Sequence, residues 1–309
     1  MKRIFYLFLL SMLSLCDILH AQGNFWKSND AYLGQQPPLD TPQIFAPDLL
    51  MRADTFAFDR VAFSANGKEF YYPSNTTWFD SKNAKIRYFT YDGKKWKGPF
   101  VLNEYLYAPT FSIDGKSMYF LGKSDGKHAL VWQSKRKTGG GWTEPAIYLQ
   151  KDYGLYDFMT TKSGVCYVGS NAHQGDRKDF STYDICELRM TAQDTTIQSL
   201  GAPINTPGFD GDFYIAPDES YIIVSAKETK DFECELHISF HKPDKSWTAP
   251  VSLGPLINNG IAHRWGQYVS PDGKYLFYSH GTSPKDCHIL WVRFDTLLAK
   301  LKRDNLNNN

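Results

Sequence analysis

A ten-residue phrase recurs along this chain and constrains its fold more than any other feature. The copies occupy residues 63–72, 111–120, 159–168, 215–224 and 269–278. Their second residues lie at positions 64, 112, 160, 216 and 270, so successive copies are 48, 48, 56 and 54 residues apart. A period near fifty is typical of the four-stranded blades of a β-propeller.

Each copy has the pattern of a β-hairpin. Most of the turns carry Asn66-Gly67, Asp114-Gly115 or Asp272-Gly273, and such dipeptides supply the positive φ that tight hairpins require. The stretch after the turn is apolar without alternation, as at residues 70–72 and 222–224. An unbroken apolar run indicates a strand that is covered on both faces, as expected where blades pack face to face around an axis.

Two further motifs complete the predicted blade. Trp-x-x-Pro at residues 96–99, 142–145 and 247–250 indicates an outermost strand, where proline is tolerated. Leu-Gly-x-x-Ile-Asn at residues 200–205 and 253–258 indicates a link to the next blade. We therefore predict an all-β chain that forms a single propeller of about five four-stranded blades. A sixth blade would require a unit that lacks the phrase.

The last repeat has no outer strand of its own. After a third strand at residues 288–294 the chain continues into a predicted short helix at 297–302, within a C-terminal segment of 295–309 that ends in an Asn-rich tail. Residues 42–50 resemble the Trp-x-x-Pro segments, and they lie in an N-terminal segment, 22–50, that has no hairpin. We predict that this segment closes the last blade, which removes exposed sheet edges.

The phrase Ser270-Pro271-Asp272-Gly273-Lys274 before an apolar strand resembles the WD40-like repeat of TolB-type exported bacterial proteins. The resemblance covers residues 59–294, and the turn at 161–164 departs from it. It implies a propeller of the cell envelope and says much less about activity, because propellers host many functions.

The N-terminus has the pattern of a secretory signal peptide. Basic Lys2 and Arg3 precede the apolar residues 4–15, and Ala21 offers a cleavage site, so residues 1–21 are the predicted signal and 22–309 the propeller domain. No later segment has the roughly 20 apolar residues that a membrane helix needs. We expect a periplasmic or secreted protein.

A lipoprotein signal is the alternative interpretation of the same segment. It would place a lipid anchor on Cys16 and the protein at the outer membrane, although the preceding Leu15 is bulkier than is usual there.

Charge argues against nucleic acid and anionic lipid as partners. Removing residues 1–21 takes Lys2, Arg3 and Asp17, so Lys+Arg falls from 34 to 32, Asp+Glu falls from 33 to 32, and the net charge falls from +1 to 0. A neutral chain has no bulk attraction to polyanions. The expected partner is an envelope protein, a peptide or a glycan.

Four cysteines remain after residue 21, at positions 166, 186, 234 and 287, and they allow three complete disulfide pairings. Cys166 and Cys186 are the preferred pair, because they fall on neighbouring predicted strands of one blade. No Cys-x-x-Cys occurs, so the spacing matches no zinc pattern. No metal or other cofactor is predicted.

The inner strands of a propeller converge on a central channel, so the residues that precede each hairpin phrase are the candidate site. Aromatic rings with charged and amide groups among them are the contents of a small polar ligand site. Besides Asp59, the candidate ligand-binding residues are Arg60, Tyr107, Tyr156, Asp157, Asp210, Asp212, His263, Arg264, Trp265 and Gln267.

Two functional hypotheses follow. The first is a non-catalytic binding protein that uses the channel mouth or the rim, because no catalytic set is assembled in the sequence. The second is a glycoside hydrolase-like enzyme in which Asp157 and Asp212 supply the two carboxyl groups that such chemistry requires. Against the hydrolase, no Glu occupies the innermost positions. His263 is the one histidine expected at the mouth, which argues against a metal centre with several histidine ligands.

Overall fold

The computed structural model describes the chain from residue 25 to residue 306 with short gaps, in the ranges 25–52, 54–78, 81–123, 126–172, 179–191, 194–229, 231 and 233–306. The predicted signal peptide and the alternative lipidation site at Cys16 lie outside these residues. Within them, no helix has the length and apolar character needed to cross a membrane.

The described strands form five antiparallel sheets, each of which is one blade. Blade 1 consists of β2 (Phe56–Ala57), β3 (Ala62–Phe63), β4 (Glu69–Asn75), β5 (Lys85–Tyr91) and β6 (Trp96–Glu104). Blade 2 consists of β7 (Leu106–Phe111), β8 (Ser117–Gly122), β9 (Ala129–Lys135) and β10 (Ala146–Lys151). Blade 3 consists of β11 (Tyr156–Thr160), β12 (Cys166–Ser170), β13 (Asp184–Met190) and β14 (Thr195–Ser199).

The last two blades follow the same order. Blade 4 consists of β15 (Phe213–Ile215), β16 (Tyr221–Ala226), β17 (Glu235–Phe240) and β18 (Val251–Ser252). Blade 5 consists of β19 (His263–Val269), β20 (Tyr275–Gly281), β21 (His288–Arg293) and β1 (Gln43–Ile44). The helical elements are α1 (Ala31–Gly34), α2 (Pro47–Leu50), α3 (Asp295–Leu306) and two 3₁₀ turns (Ser81–Asn83 and Phe180–Thr182). The predicted five-bladed propeller is confirmed.

Turn chemistry explains the recurring phrase. The Ser112 hydroxyl donates to Asp114 Oδ1 at 2.6 Å and accepts from the Ser117 amide at 2.9 Å, which ties the two strands together. The degenerate copy in blade 3 achieves a similar closure with Thr161, whose hydroxyl donates to the carbonyl of Val165 at 2.8 Å. The serines of the phrase are therefore structural rather than nucleophilic.

The N-terminal segment closes the ring as predicted. β1 pairs with β21, with Gln43 opposite Trp291, and so becomes the fourth strand of blade 5. The strand is shorter than the predicted 42–50, because the chain turns at Ala46 and α2 begins at Pro47. The Tyr32 hydroxyl, in the segment that leads to β1, donates to Asp272 Oδ2 of blade 5 at 2.7 Å.

Aromatic packing strengthens this closure. Phe45 is 1% exposed and its ring lies 5.0 Å from that of Trp291 in blade 5 and 5.3 Å from that of Phe70 in blade 1, between ring centroids. Trp26 donates through Nε1 to the carbonyl of Ala65 in blade 1 at 3.1 Å. The segment therefore joins the first blade to the last.

The C-terminal helix is longer than predicted. It spans Asp295–Leu306 instead of 297–302, because Leu297, Leu298, Leu301 and Leu306 follow a helical period and are partly buried against the core of blade 4.

The predicted disulfide between Cys166 and Cys186 is not formed, and all four cysteines from 166 onward are buried free thiols. In the ladder between β12 and β13, Cys166 lies opposite Leu188 and Cys186 lies opposite Val168. The two cysteines are therefore diagonal neighbours, which lie about 7–8 Å apart. A disulfide usually needs Cα atoms within about 6.8 Å, so the adjacency of the strands was right and the register excludes the bond.

The Leu-Gly-x-x-Ile-Asn motif ties the segment that leaves one blade to the third strand of that same blade. Asn258 accepts from the Leu236 amide at 2.8 Å through Oδ1 and donates to the carbonyl of Leu236 at 3.0 Å through Nδ2. Asn205 forms the same pair of bonds with Ile185 in blade 3, at 2.9 and 3.0 Å. The asparagine side chain thus adds hydrogen bonds to the third strand at the point where the fourth strand ends.

We expect Asn258→Ala to lower the free energy of unfolding by about 1–3 kcal/mol, because the Leu236 amide loses its acceptor in a partly buried setting, while the Leu236 carbonyl keeps the Leu253 amide as a donor. Urea denaturation measures the change. The matched control is Asn83→Ala, at an exposed position, which should stay within about 0.5 kcal/mol of the parent. Equal effects of the two substitutions would contradict a special role for Asn258.

Candidate ligand site at the centre of the propeller

The inner strands share an irregularity where they begin. The ladder register shifts between Tyr107 and Thr110, between Tyr156 and Met159, and between Trp265 and Tyr268. Residues at or near these points have positive φ, of 46° to 63°, at Asp59, Ala108, Asp157 and Gly266. Bulges of this kind re-aim side chains and are frequent beside functional sites, and here they recur around the axis.

Gly266 is required by this arrangement. A Cβ atom there would lie 2.3 Å from the carbonyl carbon of Asp59, closer than non-bonded atoms approach. Blade 5 therefore touches the backbone of blade 1 at the point where the candidate site begins.

Arg60 occupies the centre of the site and is fully buried. Its Nη2 forms an ion pair with Asp157 Oδ2 at 2.8 Å and donates to the carbonyl of Phe213 at 2.8 Å. Its Nη1 donates to the Thr110 hydroxyl at 3.2 Å. One guanidinium thus links blade 1 to blades 2, 3 and 4.

Three aspartates surround this one arginine. Asp59, Asp157 and Asp212 are 4%, 1% and 3% exposed. Burial, with the nearby Asp157 as the next cause, raises the pKa of Asp59 to about 7. Burial also raises the pKa of Asp157, against the opposing effect of Arg60, and raises that of Asp212 well above its usual value. The site therefore holds carboxyl groups that retain protons more readily than exposed ones.

Two half-buried tyrosines border the carboxyl groups. Burial raises the pKa of both Tyr107 and Tyr156, and the carboxylates Asp59, Asp157 and Asp212 add to the effect for each. The two phenol groups are therefore near enough to the acidic cluster to feel its charge, and both side chains are partly exposed.

Other predicted site residues have structural partners. The Asp210 carboxylate accepts from the amide of Thr206 at 2.6 Å and from its hydroxyl, while burial raises the pKa of Asp210 to about 6. Gln267 donates through Nε2 to the Ser225 hydroxyl at 2.7 Å, which joins blades 5 and 4. Trp265 is buried, with its ring 5.4 Å from that of Trp78 between centroids.

The Arg264 side chain donates to backbone carbonyls of loops, and it shares no partner with Arg60. Each of its five N–H donors has a carbonyl acceptor, at distances from 2.5 to 3.2 Å, on Ile257, Cys234, Ala262, Asn259 and Gly260. The structure therefore assigns Arg264 to loop organisation, and removing it should destabilise the fold.

Sequence reasoning missed Glu228. Asp212, Glu228 and His263 each place one possible ligand atom within 4.8 Å of the other two. Glu228 follows β16 by two residues, and hairpin topology returns that segment to the end of the blade where the inner strand begins. Inspection of the residues after each second strand would have found it.

We expect Arg60→Met to lower the free energy of unfolding by about 3–5 kcal/mol, because it leaves the buried Asp157 carboxylate without its ion-pair partner. The double variant Arg60→Met/Asp157→Asn should recover part of that loss, since position 157 then carries no unpaired charge. The control is Arg189→Met, which breaks an exposed pair with Glu187 and should change little. Urea denaturation of the four proteins decides, and a loss below about 1 kcal/mol for Arg60→Met would count against this role.

Comparison with known proteins finds no matching family model and no matching curated protein. Among solved structures the chain is similar to TolB from Acinetobacter baumannii, with 15% identity, a TM-score of 0.43, and coverage of 77% of this chain and 55% of that one. It is also similar to an engineered GH43 glycoside hydrolase with endo-xylanase and exo-arabinofuranosidase activity, with 15% identity, a TM-score of 0.47, and coverage of 82% and 52%.

A third similar structure is a thermostable family-43 glycoside hydrolase, with 13% identity, a TM-score of 0.50, and coverage of 78% of this chain and 89% of that one. The chain spans about half the length of the first two proteins. Likeness at these identities concerns the fold alone. The five-bladed architecture itself rests on the strands of this chain.

Proposed function

We propose that the protein is an exported, non-catalytic recognition propeller that binds a polar ligand, a glycan or a peptide, at the end of the channel where the inner strands begin. The observation that carries the proposal is the pair of half-buried tyrosines, Tyr107 and Tyr156, beside three buried aspartates and one arginine. Export rests on the predicted signal peptide.

The chemistry of the cluster favours a ligand that donates hydrogen bonds. Carboxylate oxygens accept hydrogen bonds, and in this site they outnumber the donors of the single guanidinium, which already serves Asp157, Phe213 and Thr110. Hydroxyl groups of a sugar or amide groups of a peptide supply such donors. Tyrosine rings add flat apolar surface at low entropic cost.

The site is also preorganised for binding. Arg60 and Asp157 hold each other in place at 2.8 Å, and Asp157 Oδ2 accepts from the Phe213 amide at 3.3 Å. A carboxylate anchored in this way serves as a fixed acceptor, and it has less freedom to act as a nucleophile or base.

We expect Tyr156→Ala to weaken ligand binding about tenfold through lost ring contact, whereas Tyr156→Phe separates the contribution of the hydroxyl. The parent is first screened by thermal shift against xylo- and arabino-oligosaccharides, cell-wall muropeptides and short peptides, since a ligand at a hundred times its Kd adds about 2.7 kcal/mol. Calorimetric titration of the variants with the hit then gives the affinities.

Tyr91→Ala is the matched control, because Tyr91 lies at the turn end of blade 1, where its hydroxyl donates to Asp30. It should bind as the parent does. Unchanged affinity in Tyr156→Ala, with the same hit, would place recognition elsewhere on the propeller.

A carbohydrate hydrolase is the second candidate, favoured by the carboxyl groups with raised pKa values in one cluster. A carboxyl group that keeps its proton near neutral pH suits a general acid. In this case Asp212 would donate the proton and Asp157 would act as the second carboxylate.

If the protein is a hydrolase, reducing sugar should be released from oligosaccharides by the parent and fall by at least about 100-fold in Asp157→Asn and in Asp212→Asn. Asp194→Asn, on the outer edge of blade 3, is the control and should leave the rate unchanged. Absence of release from every oligosaccharide that binds would exclude this candidate for those ligands.

A further inference from the structure

A set of three potential metal ligands lies where blades 4 and 5 meet. Asp212 directly precedes β15, Glu228 follows β16 and His263 begins β19. Each contributes one carboxylate oxygen or ring nitrogen, and the three atoms lie within 4.8 Å of one another. The fold therefore brings two carboxylates and an imidazole together from three separate strand ends.

Asp212 supplies an independent indication of a ligand. It is 97% buried, since its exposed fraction is 3%, and its Oδ1 has no hydrogen-bond partner among the described residues. Glu228 Oε2 is in the same condition within that part of the chain. A buried carboxylate oxygen without a donor destabilises the fold, and a bound cation would satisfy that oxygen.

Arg60 does not fill this need. Its Nη2 pairs with Asp157 at 2.8 Å and also serves the carbonyl of Phe213. The ion pairs formed by the described residues include neither Asp212 nor Glu228. Asp212 Oδ1 and Glu228 Oε2 are therefore left with neither a hydrogen-bond donor nor an ion-pair partner among the described residues.

His263 is held in a form that suits coordination. Its ring stacks on that of Trp265, with centroids 4.2 Å apart and planes 16° apart, which fixes the plane of the ring. A nitrogen of this ring can coordinate a metal ion in the neutral form of the imidazole.

The spacing of the three ligand atoms is close to that of a metal site. Bonds of about 2.0–2.2 Å place the ligand atoms around one ion about 3–4 Å apart. The 4.8 Å spread therefore has to contract slightly. Glu228 is half-buried and lies outside any strand, so rotation of this side chain can bring its carboxylate inward.

We propose that Asp212, Glu228 and His263 bind one divalent transition-metal ion of the Mn²⁺ or Zn²⁺ class. Imidazole suits Zn²⁺ and its neighbours, whereas carboxylates suit Mn²⁺, Mg²⁺ and Ca²⁺, so one imidazole with two carboxylates favours ions that accept both. Three protein ligands leave positions open to water or to a bound molecule. The metal site shares Asp212 with the proposed recognition site, but its test requires no glycan or peptide.

The test is titration of the purified, EDTA-treated protein with MnCl₂ and ZnCl₂, in the absence of any glycan or peptide. Calorimetry and elemental analysis should show one ion per chain. Asp212→Asn, Glu228→Gln and His263→Gln should each weaken binding by more than about 100-fold, since even changes in the outer shell of a metal site cost 10–100-fold. Parent-like circular dichroism of the nearly isosteric Asp212→Asn ensures that a loss of binding is not a loss of fold.

Glu235→Gln is the matched control. Glu235 is a glutamate of blade 4 that lies beside a histidine, with its carboxylate 2.8 Å from His237 Nε2. It belongs to no group of three potential ligands among the described residues. It should bind metal as the parent does. Pulsed electron paramagnetic resonance of the Mn²⁺-loaded protein should detect one imidazole nitrogen, which is lost in His263→Gln.

Three results would overturn the proposal. One is equal metal affinity in the parent and in Asp212→Asn. The second is stronger binding of Ca²⁺ or Mg²⁺ than of Mn²⁺ or Zn²⁺, which would remove His263 from the ligand set. The third is the absence of a nitrogen coupling in the loaded parent. None of these results bears on whether a glycan or peptide binds at Tyr107 and Tyr156.

Discussion

The guanidinium of Arg60 is the interaction on which the centre of this propeller depends. A ring of blades has no natural core at its axis, because the inner strands present their edges there rather than their packed faces. Arg60 fills that position with bonds to Thr110, Asp157 and the carbonyl of Phe213. Apolar packing joins neighbouring blades at their faces, and the Arg60 guanidinium joins blades 1 to 4 at their inner edges.

That central charge also determines the character of the site. Arg60 neutralises Asp157 and leaves Asp59 and Asp212 buried beside it, with the pKa of each raised by burial. A cluster with more acids than bases is stable when protons, a cation or hydrogen-bond donors from a ligand supply the balance. The proposed recognition by the tyrosines and the proposed metal binding at the junction of blades 4 and 5 both depend on this excess of acidic groups.

The sequence was sufficient for the architecture because hairpin chemistry is local. Each Ser-x-Asp-Gly turn and each apolar strand is encoded by residues that are adjacent in the sequence. The number of blades, the closing strand and the convergence of Arg60, Asp157 and Asp212 could therefore be predicted. What a side chain bonds to depends on register and on loops from other blades. Arg264 was therefore expected at the ligand site although its donors serve five loop carbonyls, and Glu228 was missed.

Closure of blade 5 by β1 also orders events along the chain. Gln43 pairs with Trp291, so 291 − 43 = 248 positions separate the two partners, and the loop between them must form before the pair gains anything. β1 therefore has no partner until β21 has been synthesised. A chain interrupted before residue 288 would leave blade 5 with open edges that can pair with a neighbouring molecule. Only a chain that contains both β1 and β21 can close the ring in this way.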